Sequence, residues 1–181
     1  YFRGLLTQLQ GVISPELLTR LHRQSDYLRK IGRAKCLPDL LPFFQKAHDP
    51  GKELTESLGA FYATLGHLPA ESQKNPDILC LIPGDGKAPR TGALVALMTK
   101  WQVHSIDPIL DYTGWLPDRL NLHSMKVEEF IKQDLLKGQT PRRTIILMVH
   151  SHAPFQPVWD YAPGKKLGIT IPCCTKLKLD R

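Results

Sequence analysis

The sequence predicts an α/β fold, a Rossmann-like, mostly parallel sheet with helices on both faces, preceded by an all-helical N-terminal extension. Three observations predict it. From residue 77 onward short apolar runs alternate with helical segments, the pattern of strands joined by crossover helices. A glycine turn, Gly84-Asp85-Gly86, closes the first apolar run. An acid, Asp107, closes the second. Strand, glycine turn, helix, strand, acid is the sequence form of a nucleotide-cofactor site.

Residues 1–66 read as helices broken by prolines and glycines. Ser14-Pro15-Glu16 starts a helix, with serine capping and proline in the first turn, and Leu17, Leu18, Leu21, Tyr27 and Leu28 follow at near-helical spacing. A second helix is expected over 37–47. After the break at Pro50-Gly51 a third is expected over 52–65, its stripe of Leu54, Leu58, Phe61, Tyr62 and Leu65 reading as core packing. Residues 67–76, rich in proline and polar side chains, read as a linker. The sheet domain is then expected over 77–181.

In that domain Ile78, Leu79, Cys80, Leu81 and Ile82 form a run suited to a strand buried on both faces. Pro89 opens a helix expected over 91–100, whose N-terminus points back at the glycine loop and favours anions, with Lys87 and Arg90 adding charge of the same sign. A strand over 102–106 ends at Asp107, about 20 residues beyond the glycines, where an acid in a βαβ unit meets ribose hydroxyls. A weak strand over 119–124, a helix over 127–136, a central strand over 144–149, a short helix over 155–161 and a strand over 167–171 complete the expected order. The third glycine of G-x-G-x-x-G is absent, position 89 being proline, and no G-x-x-x-x-G-K-[ST] string occurs. Two readings therefore stand: a cofactor cradle, or a tight βα turn with Asp107 capping the next segment.

The 181 residues suffice for one domain with a helical extension. A net charge of +7, from 24 Lys and Arg against 17 Asp and Glu, suits a polyanionic partner such as RNA or a ribonucleoprotein. The basic residues are scattered, however, and a solvated surface is the competing reading. Four cysteines, at 36, 80, 173 and 174, lack a disulfide framework and suggest a reducing compartment: cytoplasm, nucleus or organelle matrix. No run of 18 or more apolar residues appears, so no membrane span is expected.

The central strand ends in His150-Ser151-His152-Ala153 and the last in Pro172-Cys173-Cys174. Ligands of open α/β sheets bind outside the carboxyl ends of strands, so both motifs are expected to face one crevice with Gly84 and Asp107. Their spacing is not that of a zinc site, and no metal is assigned. His150 or His152 is a candidate general base, and a hydrogen-bonded structural role is the alternative. G-x-S-x-G is missing, and no nucleophile with an orienting acid can be picked out.

Residues 77–174 resemble the Rossmann-type core of class I S-adenosylmethionine-dependent methyltransferases, with Gly84, Asp85, Gly86 and Asp107 matching the cofactor positions in order and spacing. VHSHA and IPCC resemble the fourth-strand end and the CC motif of a subgroup that includes RNA methyltransferases. The resemblance implies S-adenosylmethionine as cofactor. In it Gly84, Asp85 and Gly86 cradle the cofactor and Asp107 holds the ribose. His150 or His152 borders the methyl acceptor, and Lys87, Arg90, Cys173 and Cys174 line the substrate side. The chain departs from the family in Pro83 and in Lys87-Ala88-Pro89, lacks N/D-P-P-Y/F after the fourth strand, and is expected to be an incomplete core at its C-terminal end. It implies a methyltransferase acting on RNA or an RNA-associated substrate; the alternative is a methyltransferase-like module without catalysis that binds RNA or a protein complex. A nucleotide- or phosphate-binding enzyme using Lys87 and Arg90 is a third reading.

Overall fold

The computed structural model describes residues 26–27, 29–32 and 34–172. The helix expected from Ser14 and the Cys173-Cys174 pair fall largely or wholly outside the described residues. The chain divides into two compact units between Asp39 and Leu40. In the first, Asp26, Tyr27 and residues 29–31 are helical. Helix α1, Leu37–Phe44, crosses the dividing point. It ends three residues before the expected position 47. Pro42 inside it has no N–H to donate, which weakens its last turn.

In the second unit Asp49 accepts a hydrogen bond from Lys52 N at 3.0 Å and so caps helix α2, Pro50–Gly66. Proline at the first helical position starts this helix rather than breaking the chain. The segment expected as a linker holds a 3₁₀ turn, Ala70–Lys74. Trp101 Nε1 donates to Ser72 O at 2.7 Å, tying that turn to the sheet.

Five strands follow: β1 Ile78–Pro83, β2 Gln102–Ile106, β3 Leu120–His123, β4 Arg143–Val149 and β5 Lys165–Ile171. They are all parallel, in the order β3-β2-β1-β4-β5. Helix α3, Arg90–Met98, joins β1 to β2; α4, Val127–Lys132, joins β3 to β4; α5, Phe155–Tyr161, joins β4 to β5. The expected Rossmann-like α/β class is the observed one. Helix α4 is shorter than expected because Asp134 takes a φ of +49°, which ends helical geometry. Strand β5 begins two residues early, since pairing with β4 brings in Lys165 and Lys166 opposite Arg143 and Thr144.

Strand alternation divides the core between two faces. Leu79, Leu81, Ile106, Ile146 and Met148 pack with Val127 and Phe130 of α4 and Val158 of α5. The opposite face carries α2 and α3, which pack on β4 and β5 and on β2 respectively. There Leu58, Phe61, Leu94 and Trp101 are fully buried, with the Phe61 and Trp101 rings 6.4 Å apart. The boundary expected between residues 66 and 77 thus falls inside the second unit, because the apolar stripe of α2 covers the sheet. No helix among the described residues is long and apolar enough to cross a membrane.

Phe61→Ala should accordingly lower the unfolding free energy by about 3–5 kcal/mol, the cost of an uncollapsed core cavity. Urea denaturation measures it. A loss near zero would mean that α2 does not belong to the core of the sheet.

Candidate functional site

The loop after β1 is shaped by one carboxylate. Asp85 Oδ1 accepts from Thr91 N at 3.0 Å, and Oδ2 accepts from Gly92 N at 2.9 Å and from Ser105 Oγ at 2.7 Å. Pro89 at the start of α3 makes no side-chain cap. Asp85 therefore supplies the anion that this helix N-terminus favours. Burial pushes the Asp85 carboxyl up from 3.8 to about 6, against the lowering effect of the bonds from Ser105, Gly92 and Thr91.

Two glycines make that packing feasible. Gly84 has a φ of +74°, and an added Cβ there would overlap the Ser151 hydroxyl from the loop after β4. Gly92 sits where a Cβ would collide with Ser105 Oγ and lie 3.0 Å from Asp85 Oδ2. Gly92 thus performs the close helix–strand approach assigned to the third fingerprint glycine, although it lies out of register with that pattern. The signal in the sequence was a small residue, Ser105, on the facing strand.

Asp107 ties the first two loops together. Its Oδ2 accepts from Gly86 N and its Oδ1 from Ile109 N, both at 2.9 Å. Above it opens a cleft of about 580 Å³ at the carboxyl ends of β1, β2 and β4. Ile106, Val127 and Ile109 form apolar walls, Ala153 and Pro154 face them, and His150 and His152 lie at one side. The sheet order changes direction between β1 and β4, which makes this crevice the topological switch point.

Of the residues expected to gather there, Gly84, Gly86, Asp107, His150 and His152 all line the cleft. Asp85 does not, being turned under α3. Lys87 lies 3.9 Å from Asp111, both side chains well exposed. Arg90 Nη1 is 2.9 Å from Glu53 Oε2. Cys173 and Cys174 lie outside the described residues. Among the described residues no three His, Cys, Asp or Glu side chains are grouped as metal ligands.

Sequence reasoning passed over helix α2, whose polar face reaches the site. Glu53 meets Arg90, Ser57 Oγ lies 3.1 Å from Thr91 Oγ1, and Glu56 Oε2 lies 3.0 Å from His150 Nε2. Glu53, Glu56 and Ser57 follow helical spacing beside the apolar stripe, a pattern that marks a face but not what it meets. His150 has a φ of +52°, uncommon for a residue with a Cβ and costing about 1–2 kcal/mol. Between β2 and the edge strand β3, His104 Nδ1 and His123 Nε2 lie 2.9 Å apart. Burial, then the neighbouring His123, pushes His104 down to about 4.

No protein-family model matches the sequence. No curated protein matches it. A solved structure that does is the Corynebacterium glutamicum thioredoxin-dependent arsenate reductase, at 14% identity over 96% of this chain and 82% of that chain, with a TM-score of 0.29. At that score it lends this chain no residue roles and no chemistry.

The recognition as a methyltransferase, active or inactive, and the assignment of S-adenosylmethionine are corrected. The geometry supplies the physical reason. Each Asp107 oxygen already accepts from a backbone N–H group. Asp85 is consumed by its own helix, and the space beside Gly84 is filled by Ser151 rather than left for a cofactor. These residues do not fit S-adenosylmethionine.

Two measurements check the Asp85 arrangement. Between pH 3.8 and about 6 the native state keeps a proton on Asp85 that the unfolded chain has released. The stability this contributes is complete below pH 3.8 and is lost as pH rises through about 6. Chemical denaturation across that window should show the decline in the wild type and a smaller one in Asp85→Asn. Gly92→Ala should destabilise by about 1–3 kcal/mol through overpacking, although alanine is the better helix former by about 1 kcal/mol. A stabilised variant would mean that α3 is not pinned against Ser105.

Proposed function

We propose that the chain is a small-molecule-binding α/β protein whose ligand lies in the cleft at the carboxyl ends of β1, β2 and β4. The observation that carries this reading is the cleft itself: about 580 Å³ at the switch point, within the size range of small-molecule sites. The ligand class follows from the lining. Apolar side chains, Ile106, Val127, Ile109 and Ala153, provide most of the surface for a compact apolar body, and His150 and His152 provide polar contacts at one end. A small ligand is favoured over RNA at this edge because Arg90 is held by Glu53 and Lys87 lies near Asp111. A reducing compartment suits the free Cys36 and Cys80.

A fragment library screened by methyl NMR tests the reading. Binding fragments should shift Ile106, Ile109 and Val127, and Ala153→Trp should weaken them about tenfold or more by filling the cleft while leaving the fold intact. A library without cleft hits, or hits confined to Ile78 and Leu79 in the groove of about 470 Å³ at the amino ends of the strands, would overturn it.

A further inference from the structure

His150 stands between two hollows. It lines the large cleft and also a smaller one of about 330 Å³, bounded by α2 and the start of α3. It ends β4, next to β1 at the switch point, and its N–H donates to Ile171 O at 2.9 Å. The left-handed backbone at this position takes the side chain out of the strand's alternation. Such a conformation persists only where the surroundings hold it.

Glu56 is the group that meets the ring. Nε2 is sealed from solvent and lies 3.0 Å from Glu56 Oε2, outside the direction of a hydrogen bond, so the two groups pair by charge only when the ring carries a second proton. The His150 side chain is nevertheless 25% exposed. That exposure belongs to its other ring atoms, and Nδ1 is the nitrogen not held against Glu56. Other charged groups surround the ring. On the α2 and α3 side, Lys52 lies 3.4 Å from Glu56 Oε1 and Arg90 pairs with Glu53. Asp85 is buried in its own bonds. Across the cleft are Lys126, Glu128 and His152, with Asp107 held by two N–H groups.

We propose that His150 and Glu56 form an acid–base pair serving the large cleft, and that its ligand is an apolar molecule bearing a weakly acidic O–H group. This rests on the cleft reading given above. The ligand O–H bond breaks, the proton passes to His150 Nδ1 to form an N–H bond, and the electron pair stays on the ligand oxygen. The imidazolium charge is balanced by the Glu56 carboxylate, and the reverse transfer restores the neutral ring. His150 touches the ligand, and Glu56 is a positioning residue whose carboxylate faces the buried ring nitrogen.

The test uses a phenol and its O-methyl ether as matched probes on the whole chain. In histidine-labelled protein, with His150→Gln identifying the resonance, the phenol should shift the His150 ring signals and the ether should not. The wild type should prefer the phenol over the ether, and Glu56→Gln should reduce that preference about fivefold with ether binding unchanged. Lys52→Ala, which leaves the Glu56–His150 contact in place, should not reduce it. An unchanged probe ratio in Glu56→Gln overturns the acid–base pair and leaves the cleft standing. If neither probe shifts the cleft methyls while other fragments do, this proposal alone falls. If no fragment does, both fall.

Discussion

The Asp85 carboxylate is the constraint on which the rest of this site depends. A buried carboxylate carries a desolvation penalty of several kcal/mol, offset only by well-aimed partners. Here the partners are the first N–H groups of α3 and the hydroxyl of Ser105. They bind the first loop, the first crossover helix and the second strand into one unit. The arrangement demands glycine at 92, because a Cβ there would collide with Ser105 Oγ and crowd Asp85 Oδ2. The positive end of the helix is satisfied from within the chain.

With the helix terminus closed, the open space moves to the gap between the loops after β1, β2 and β4. Asp107 makes the second internal tie, and its backbone bonds fix the rim of that gap. What remains accessible is an apolar hollow with histidines on one side, and behind it the polar face of α2. Helix α2 therefore has two roles. Its apolar stripe covers the sheet, and its glutamates reach Arg90 and His150. Both roles come from one helix whose faces differ at 3.6-residue spacing.

The strands were legible wherever an apolar run met a turn signal, as in β1, β2 and β4. Such runs have no stable place except inside a sheet. Edges were less legible. Lys165 and Lys166 look like loop residues, but their place in β5 is set by pairing with β4. The end of α4 depends on the backbone of Asp134, a conformation that the residue type permits without requiring it. At the site, the gathering of Gly84, Asp107, His150 and His152 followed from one rule about strand ends. The role given to Asp85 did not survive, since an acid beside a helix start can face a ligand or cap the helix. Only the positions of Thr91, Gly92 and Ser105 decide between them.

By itself the sequence determined the α/β class, the strand order along the chain and the end of the sheet at which the polar residues meet. These follow from local periodicity and turn chemistry, which act over a few residues. Tertiary structure alone decided what each polar atom faces. Asp85 finds Ser105 across 20 residues, and His150 finds Glu56 across 94. Contacts of that range depend on how α2 and α3 pack on the sheet, and no local pattern encodes that packing. The same glycine and acid spacing that suggested a methyltransferase-like cofactor cradle is, once folded, a set of internal hydrogen bonds around an apolar cleft.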